Sequence, residues 1–127
     1  MRNIAKQLQP RTWRTEDTHC RYLEERKEAV ASDVCPLCSE ASIVEYRYWR
    51  VIPNKYPYDA VAQRHTMLVP KQHLQEHELS NEAQRELYDL KHGELNEEYK
   101  YIMEALPTTK SIPGHFHLHL IDPMTIE

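Results

Sequence analysis

Apolar and polar positions alternate most strictly in SIPGHFHLHLIDP, Ser111–Pro123, where His115, His117 and His119 are interleaved with Phe116, Leu118 and Leu120. Period two is the signature of a strand, since successive side chains point to opposite faces of a sheet. A strand over residues 115–121 therefore turns three apolar side chains to a core and aligns three imidazoles on the other, wetter face. Upstream, ASIVEYRYWRVIPNKYPY is rich in Ile, Val, Tyr and Trp and predicts one or two strands ending at Pro53. RHTMLVP reads as a short apolar strand closed by Pro70.

The helical period occurs twice. TEDTHCRYLEERKEAVAS predicts a helix capped by Thr15, with Glu16 and Asp17 in its first turn and a weak apolar face of Tyr22, Ala29 and Val30. A second, long helix starts at Asn81 under a Ser80 cap. Ala83, Leu87, Leu90, Leu95, Tyr99, Ile102 and Leu106 recur at spacings near three and four until Pro107, and His92 and Gly93 mark a place for a kink or break. The order αββ…βα…β predicts an antiparallel α+β domain over residues 33–127, preceded by an arm and helix over residues 1–32.

Composition narrows the function. At 127 residues the chain suggests one domain with a core large enough to fold alone. The net charge is −4 and no long basic run occurs, so no nucleic-acid partner is expected. No apolar run approaches membrane-spanning length and the N-terminal stretch lacks a signal-like apolar segment, so no membrane partner is expected and the expected compartment is the cytoplasm. Thiols stay reduced there, and three cysteines then point to a metal site or free thiols. Gly93 and Gly114 are the only glycines, which excludes a Gly-rich phosphate loop. Any phosphate must be held by side chains and ordinary backbone amides.

Three imidazoles in register would repel one another if charged, so at least some must be neutral, hydrogen-bonded or metal-bound. Cys35 and Cys38 in CPLC form half of a tetrahedral zinc site, because that turn lets both thiolates reach one ion. A thioredoxin-like redox pair shares the spacing but lacks its βαβ context, and a fortuitous pair of buried thiols is the plain alternative. The partner ligands come from His65, His73, His77 or one of the strand trio, and spacing alone does not choose among them. Cys20 reads as a small packing residue and His92 as surface. Tyr46, Tyr48, Trp49, Tyr56 and Tyr58 read mainly as core and edge packing.

HFHLHLI resembles the alternating signature of the histidine triad (HIT) superfamily of nucleotide hydrolases and transferases. CPLC, WRVIPNKYPYDA, RHTMLVPKQH and the ELS that opens a helix follow in that family's order, so the resemblance spans roughly residues 33–121. CxxC is similar to the zinc-bearing branch and to the related galactose-1-phosphate uridylyltransferases, and NKYPY resembles the transferase side. The resemblance implies an α+β fold, a HIT-like antiparallel sheet with a long helix packed on one face. It implies structural zinc held by Cys35, Cys38, His73 and His115, and a nucleophile at His117. His119 takes the position that contacts the scissile phosphate, and His65 the one that supports the nucleophile's surroundings. Asn54 corresponds to the ribose-binding position, and Ser111 would stand in for the family's phosphate-contacting serine.

The implied function is a nucleotide phosphate hydrolase or nucleotidyl transferase, acting on a nucleotide or dinucleoside polyphosphate and assembled as a homodimer. Two departures accompany the match: LPTTKSIPG is a short connection with no further strand before the triad, and IDPMTIE lacks the Pro-Arg that often follows it. One rival reading is a zinc-stabilised nucleotide- or protein-binding module of the same fold with little catalysis. Another places two or three triad histidines on one ion with Asp122, as in metallohydrolases.

Overall fold

The computed structural model describes residues 13–32, 34–109, 112 and 114–124. The chain is α+β. Helix α1 (Glu16–Ser32) is followed by β1 (Val44–Glu45), β2 (Trp49–Pro53) and β3 (Ala62–Pro70). A single 3-10 turn at Glu76–Glu78 leads into α2 (Asn81–Lys91) and α3 (Glu94–Glu98), and β4 (Tyr101–Met103) and β5 (Leu118–Pro123) close the domain. The five strands form one antiparallel sheet in the order β1-β2-β3-β5-β4. No helix is long and apolar enough to cross a membrane among the described residues.

Alternation along the strands divides the core between two faces. Trp49 and Val51 of β2, Leu68 of β3, and Phe116, Leu118 and Leu120 pack with Leu79, Ala83, Leu90 and Leu95 under α2 and α3. The Trp49 indole donates to the Ala83 carbonyl at 2.8 Å, which fixes α2 against the sheet. Glu86 accepts from the Arg47 and Tyr48 amides and ties the same helix to the β1–β2 turn. Ser80 caps α2, its Oγ accepting from the Ala83 amide at 3.0 Å. On the opposite face Ile52, Met67 and Val69 form a second cluster with Leu37 from the CPLC turn, flanked by Cys35 and Ile112.

Three expectations are corrected. The long helix ends at Lys91, restarts for five residues after Gly93, and gives way to β4. Apolar spacing through Tyr99 and Ile102 fits a helix face, but Ile102 instead pairs with Leu120 across the β4–β5 ladder and joins the apolar cluster from the sheet edge. Pairing there satisfies backbone groups of β5 that would otherwise be buried without partners, and this outweighs local periodicity. A strand therefore does precede the histidine segment, where the sequence suggested only a connection. Second, β5 begins at Leu118, so His115, at a bend, and His117 lie ahead of it rather than in the strand. The Phe116 amide there bonds to the Leu74 carbonyl at 2.8 Å rather than to β3. Third, the imidazole face is not wet: His115, His117 and His119 are 1%, 4% and 6% exposed.

Candidate functional site

The histidine face divides into two ends. At one end the CPLC turn approaches the start of the histidine segment. Cys38 Sγ lies 3.3 Å from His73 Nδ1 and 3.3 Å from His115 Nδ1, and Cys35 Sγ lies 3.6 Å from His115 Nδ1. The four side chains offer ligand atoms all within 4.8 Å of one another. A Cys2His2 set this compact could bind a metal ion. Its chemistry fits one: burial first, then the neighbouring Cys35 thiol, hold the Cys38 thiol above its ordinary value, and a cation reverses that by stabilising thiolate. The His115 ring is prepared in the same sense. Its Nε2–H donates to the Pro70 carbonyl at 3.2 Å, which leaves the Nδ1 lone pair aimed at the sulfurs. Burial pushes the His115 pKa down, opposed by the Pro70 bond, so the ring stays neutral and competent as a ligand.

The turn is held from inside. Leu37 is buried in the second apolar cluster. Arg50, itself buried, donates through its guanidinium to the Leu37 carbonyl at 2.7 Å, the Glu40 carbonyl at 2.5 Å and the Ser42 hydroxyl at 3.1 Å. Sequence reasoning passed over Arg50. Its available signal was a cation in the middle of the apolar run WRVI, which must find polar partners if it is buried.

At the other end two histidines form a relay. On the paired strands His65 faces Ile121 and His119 faces Met67, so the two histidines are diagonal neighbours on one face. Their nearest ring nitrogens, His65 Nε2 and His119 Nδ1, are 2.8 Å apart. The Tyr58 amide donates to His65 Nδ1 at 3.0 Å. That bond fixes the tautomers in turn: His65 carries its proton on Nε2 and donates a hydrogen bond through it to His119 Nδ1, so the proton of His119 resides on Nε2. Burial, followed by the charge of Arg14, lowers the His65 pKa to about 4. Burial, then His65, His117 and Arg14, lower that of His119 to about 3. Both rings are neutral at pH 7, as the relay requires.

His117 lies between the two ends. Its Nδ1 is 3.0 Å from the His115 carbonyl oxygen, and only an Nδ1–H can bond there, so the lone pair of the neutral ring is on Nε2. Its ring centre is 5.4 Å from that of His119, nearly perpendicular to it. Tyr58 covers His119 in a stacked contact at 5.4 Å and lies 4.5 Å from the His65 ring centre.

The structure thus brings His65, His117 and His119 onto one buried face, and groups Cys35, Cys38, His73 and His115 beside them. The relay places His65 against His119 rather than against His117. Asn54 also packs at this end: its Oδ1 accepts from the Tyr56 amide at 2.9 Å, and its amide nitrogen lies 3.1 Å from His65 Nε2, a close approach of two donors rather than a hydrogen bond. Ser111 lies outside the described residues. His77 falls in the 3-10 turn, exposed and outside the metal-ligand cluster. Asp122 accepts from Arg64 at 2.9 Å and from the Lys100 amide at 3.0 Å, so its carboxylate is engaged away from the imidazoles. That removes the carboxylate a multi-histidine metallohydrolase centre would call on.

Comparison with protein-family models and with curated proteins yields no match to this chain.

Proposed function

We propose that the chain is a histidine-triad-type nucleotide phosphate hydrolase or nucleotidyl transferase that works through a covalent nucleotidyl-histidine on His117. The observation that supports it most is the tautomer of His117. A neutral imidazole whose Nδ1–H is held by a backbone carbonyl presents a nucleophilic Nε2. His119, with its proton on Nε2, supplies a hydrogen-bond donor beside that nucleophile, and the relay through His65 to the Tyr58 amide keeps it there.

In the first step the Nε2 lone pair attacks the α-phosphorus. The P–N bond forms, the P–O bond to the leaving group breaks, and its electron pair departs with that oxygen. In the second step water attacks the same phosphorus and loses a proton to solvent, the P–N bond breaks and its electrons return to Nε2. In a transferase the attacking oxygen belongs to another phosphate.

Zinc is the metal this reading assigns to Cys35, Cys38, His73 and His115, because two thiolates and two imidazoles suit a tetrahedral site. Four protein ligands leave no open position, so its role is to tie the CPLC turn and His73 to the start of the histidine segment. A homodimer and a nucleotide or dinucleoside polyphosphate substrate belong to the same reading.

The test follows AMP release from a fluorogenic adenosine phosphoramidate and from diadenosine polyphosphates, using metal-quantified protein and a His117→Ala variant. Release by the wild type, falling at least about a thousandfold in the variant, is the expected result. Equal release by both sinks the proposal. Binding without release by either favours a nucleotide-binding module of the same fold.

A further inference from the structure

The segment before α1 brings a cation to the relay end. Trp13, Arg14 and Thr15 are bonded along the loop that carries Tyr58. The Ala60 amide donates to the Trp13 carbonyl at 2.9 Å, and Arg14 Nε donates to the Tyr56 carbonyl at 2.7 Å. Asp59 accepts from the Thr15 amide at 2.7 Å, the Thr15 hydroxyl at 3.0 Å and the Thr18 hydroxyl at 2.5 Å. These bonds, with one further from Arg21 to the Lys55 carbonyl, fix the start of α1 over the loop.

Arg14 is thereby placed with its guanidinium carbon 4.3 Å from the ring centre of Tyr22 and 4.9 Å from that of Tyr58. Tyr58 in turn stacks on His119. One aromatic ring, that of Tyr58, therefore contacts both a guanidinium and the histidine that presents an Nε2–H beside the nucleophile. Arg14 is only half-buried, and no described carboxylate forms an ion pair with it. Among the described residues its one hydrogen bond uses Nε and leaves the terminal guanidinium nitrogens to other partners. Its charge acts on both relay imidazoles and helps keep them neutral. The surroundings of the nucleophile thus carry a fixed positive charge, neutral imidazoles and no Gly-rich loop to hold an anion.

We propose that Arg14 is a substrate-binding residue, delivered by the N-terminal segment, whose guanidinium engages phosphate oxygens of a nucleotide at His117 and His119. A planar guanidinium pairs well with two oxygens of one phosphate, and the tyrosine rings on either side hold its plane without neutralising it. The assignment rests on the nucleotide reading of the His117 site. It gives residues 13–22 a binding role in addition to packing.

The experiment is calorimetric titration of the full, metal-loaded chain and of its Arg14→Gln and Arg14→Lys variants. The probes are AMP, GMP, CMP and UMP and the four matching nucleosides. Arg14→Gln should weaken the best-bound monophosphate by about tenfold or more while changing its nucleoside less than about twofold, and Arg14→Lys should fall between. Unchanged monophosphate affinity in Arg14→Gln overturns the assignment and leaves the His117 reading standing. Equal losses for monophosphate and nucleoside overturn it too, because they mark a residue that only holds the segment in place. A wild type that binds none of the monophosphates overturns both.

Discussion

The two ends of the histidine segment use the same side chain in opposite ways. At the Cys35–Cys38 end, His115 donates its Nε2 proton to a backbone carbonyl and turns Nδ1 toward sulfur. At the relay end, His119 accepts a hydrogen bond at Nδ1 from His65 and presents its own proton on Nε2. Among the described residues no carboxylate hydrogen-bonds to the rings at either end. In each, a backbone group at the periphery decides the tautomer: the Pro70 carbonyl at one end, the Tyr58 amide at the other. His117 between them is set by the carbonyl of His115, so a residue of the candidate metal cluster also orients the ring of the proposed nucleophile. Three alternating histidines thus become a candidate metal ligand, the proposed nucleophile and a hydrogen-bond donor, with the difference supplied by what the fold places next to each ring.

If the two ends are separable in this way, breaking each should have its own signature. The largest effect is expected from Cys38→Ala. Bound metal should fall from one per chain to none, with a loss of about 3 kcal/mol or more and a fall in Tm of about 10 °C or more, because metal binding is linked to folding. Elemental analysis and calorimetry check both quantities. A variant that keeps its metal and its Tm would show that the four-residue cluster is not a metal site.

The relay end should be read out by acid. Its two histidines have folded pKa values below the unfolded one, about 4 for His65 and about 3 for His119. Between roughly pH 6.5 and those values the unfolded chain binds more protons than the folded one, so stability is lost as pH falls. Each histidine contributes a slope of up to about 1.4 kcal/mol per pH unit. Urea midpoints of the metal-saturated protein between pH 6.5 and 4.5 should fall, and His119→Gln should remove about one proton from that slope. An unaltered slope in the variant would mean that His119 does not titrate as a buried neutral ring.

Arg50→Met is the smaller test, aimed at the link between the core and the metal end. It strips the Leu37 carbonyl of its partner, for a cost of about 1–3 kcal/mol, and should weaken metal binding about tenfold while leaving the acid slope intact. A competition titration with a chromophoric chelator measures the affinity. A change in acid slope with unchanged metal affinity would reverse the assignment of Arg50 to that end.

The legibility of the molecule in its sequence follows the range of the interactions involved. Alternation about Phe116–Leu120 is local, and it correctly separated the apolar face from the imidazole face. The strand at Trp49–Pro53 and the Ser80 cap were likewise carried by neighbouring residues. The Cys35–Cys38 pair was visible from its spacing, whereas His73 and His115 were singled out by family resemblance and are brought to it by the fold. What local pattern missed depends on distant partners. Tyr101–Met103 became a strand because β5 needed an outer neighbour. The imidazole face is buried because Tyr58 and the CPLC turn lie over it, and Arg14 lies over Tyr58 from more than forty residues upstream in sequence. Arg50 anchors a turn that lies ahead of it in the chain. None of these contacts has a periodicity to detect.

The central claim, that His117 is a nucleophile set by the carbonyl of His115, is tested most directly by intact-protein mass spectrometry. The full chain would be mixed with a dinucleoside polyphosphate, quenched within milliseconds into alkaline denaturant, and weighed. A population heavier by one nucleotidyl group, mapping to the peptide that contains His117 and absent from His117→Ala, is the predicted result. Turnover with no adduct at any quench time, or an adduct that persists in His117→Ala, would contradict it.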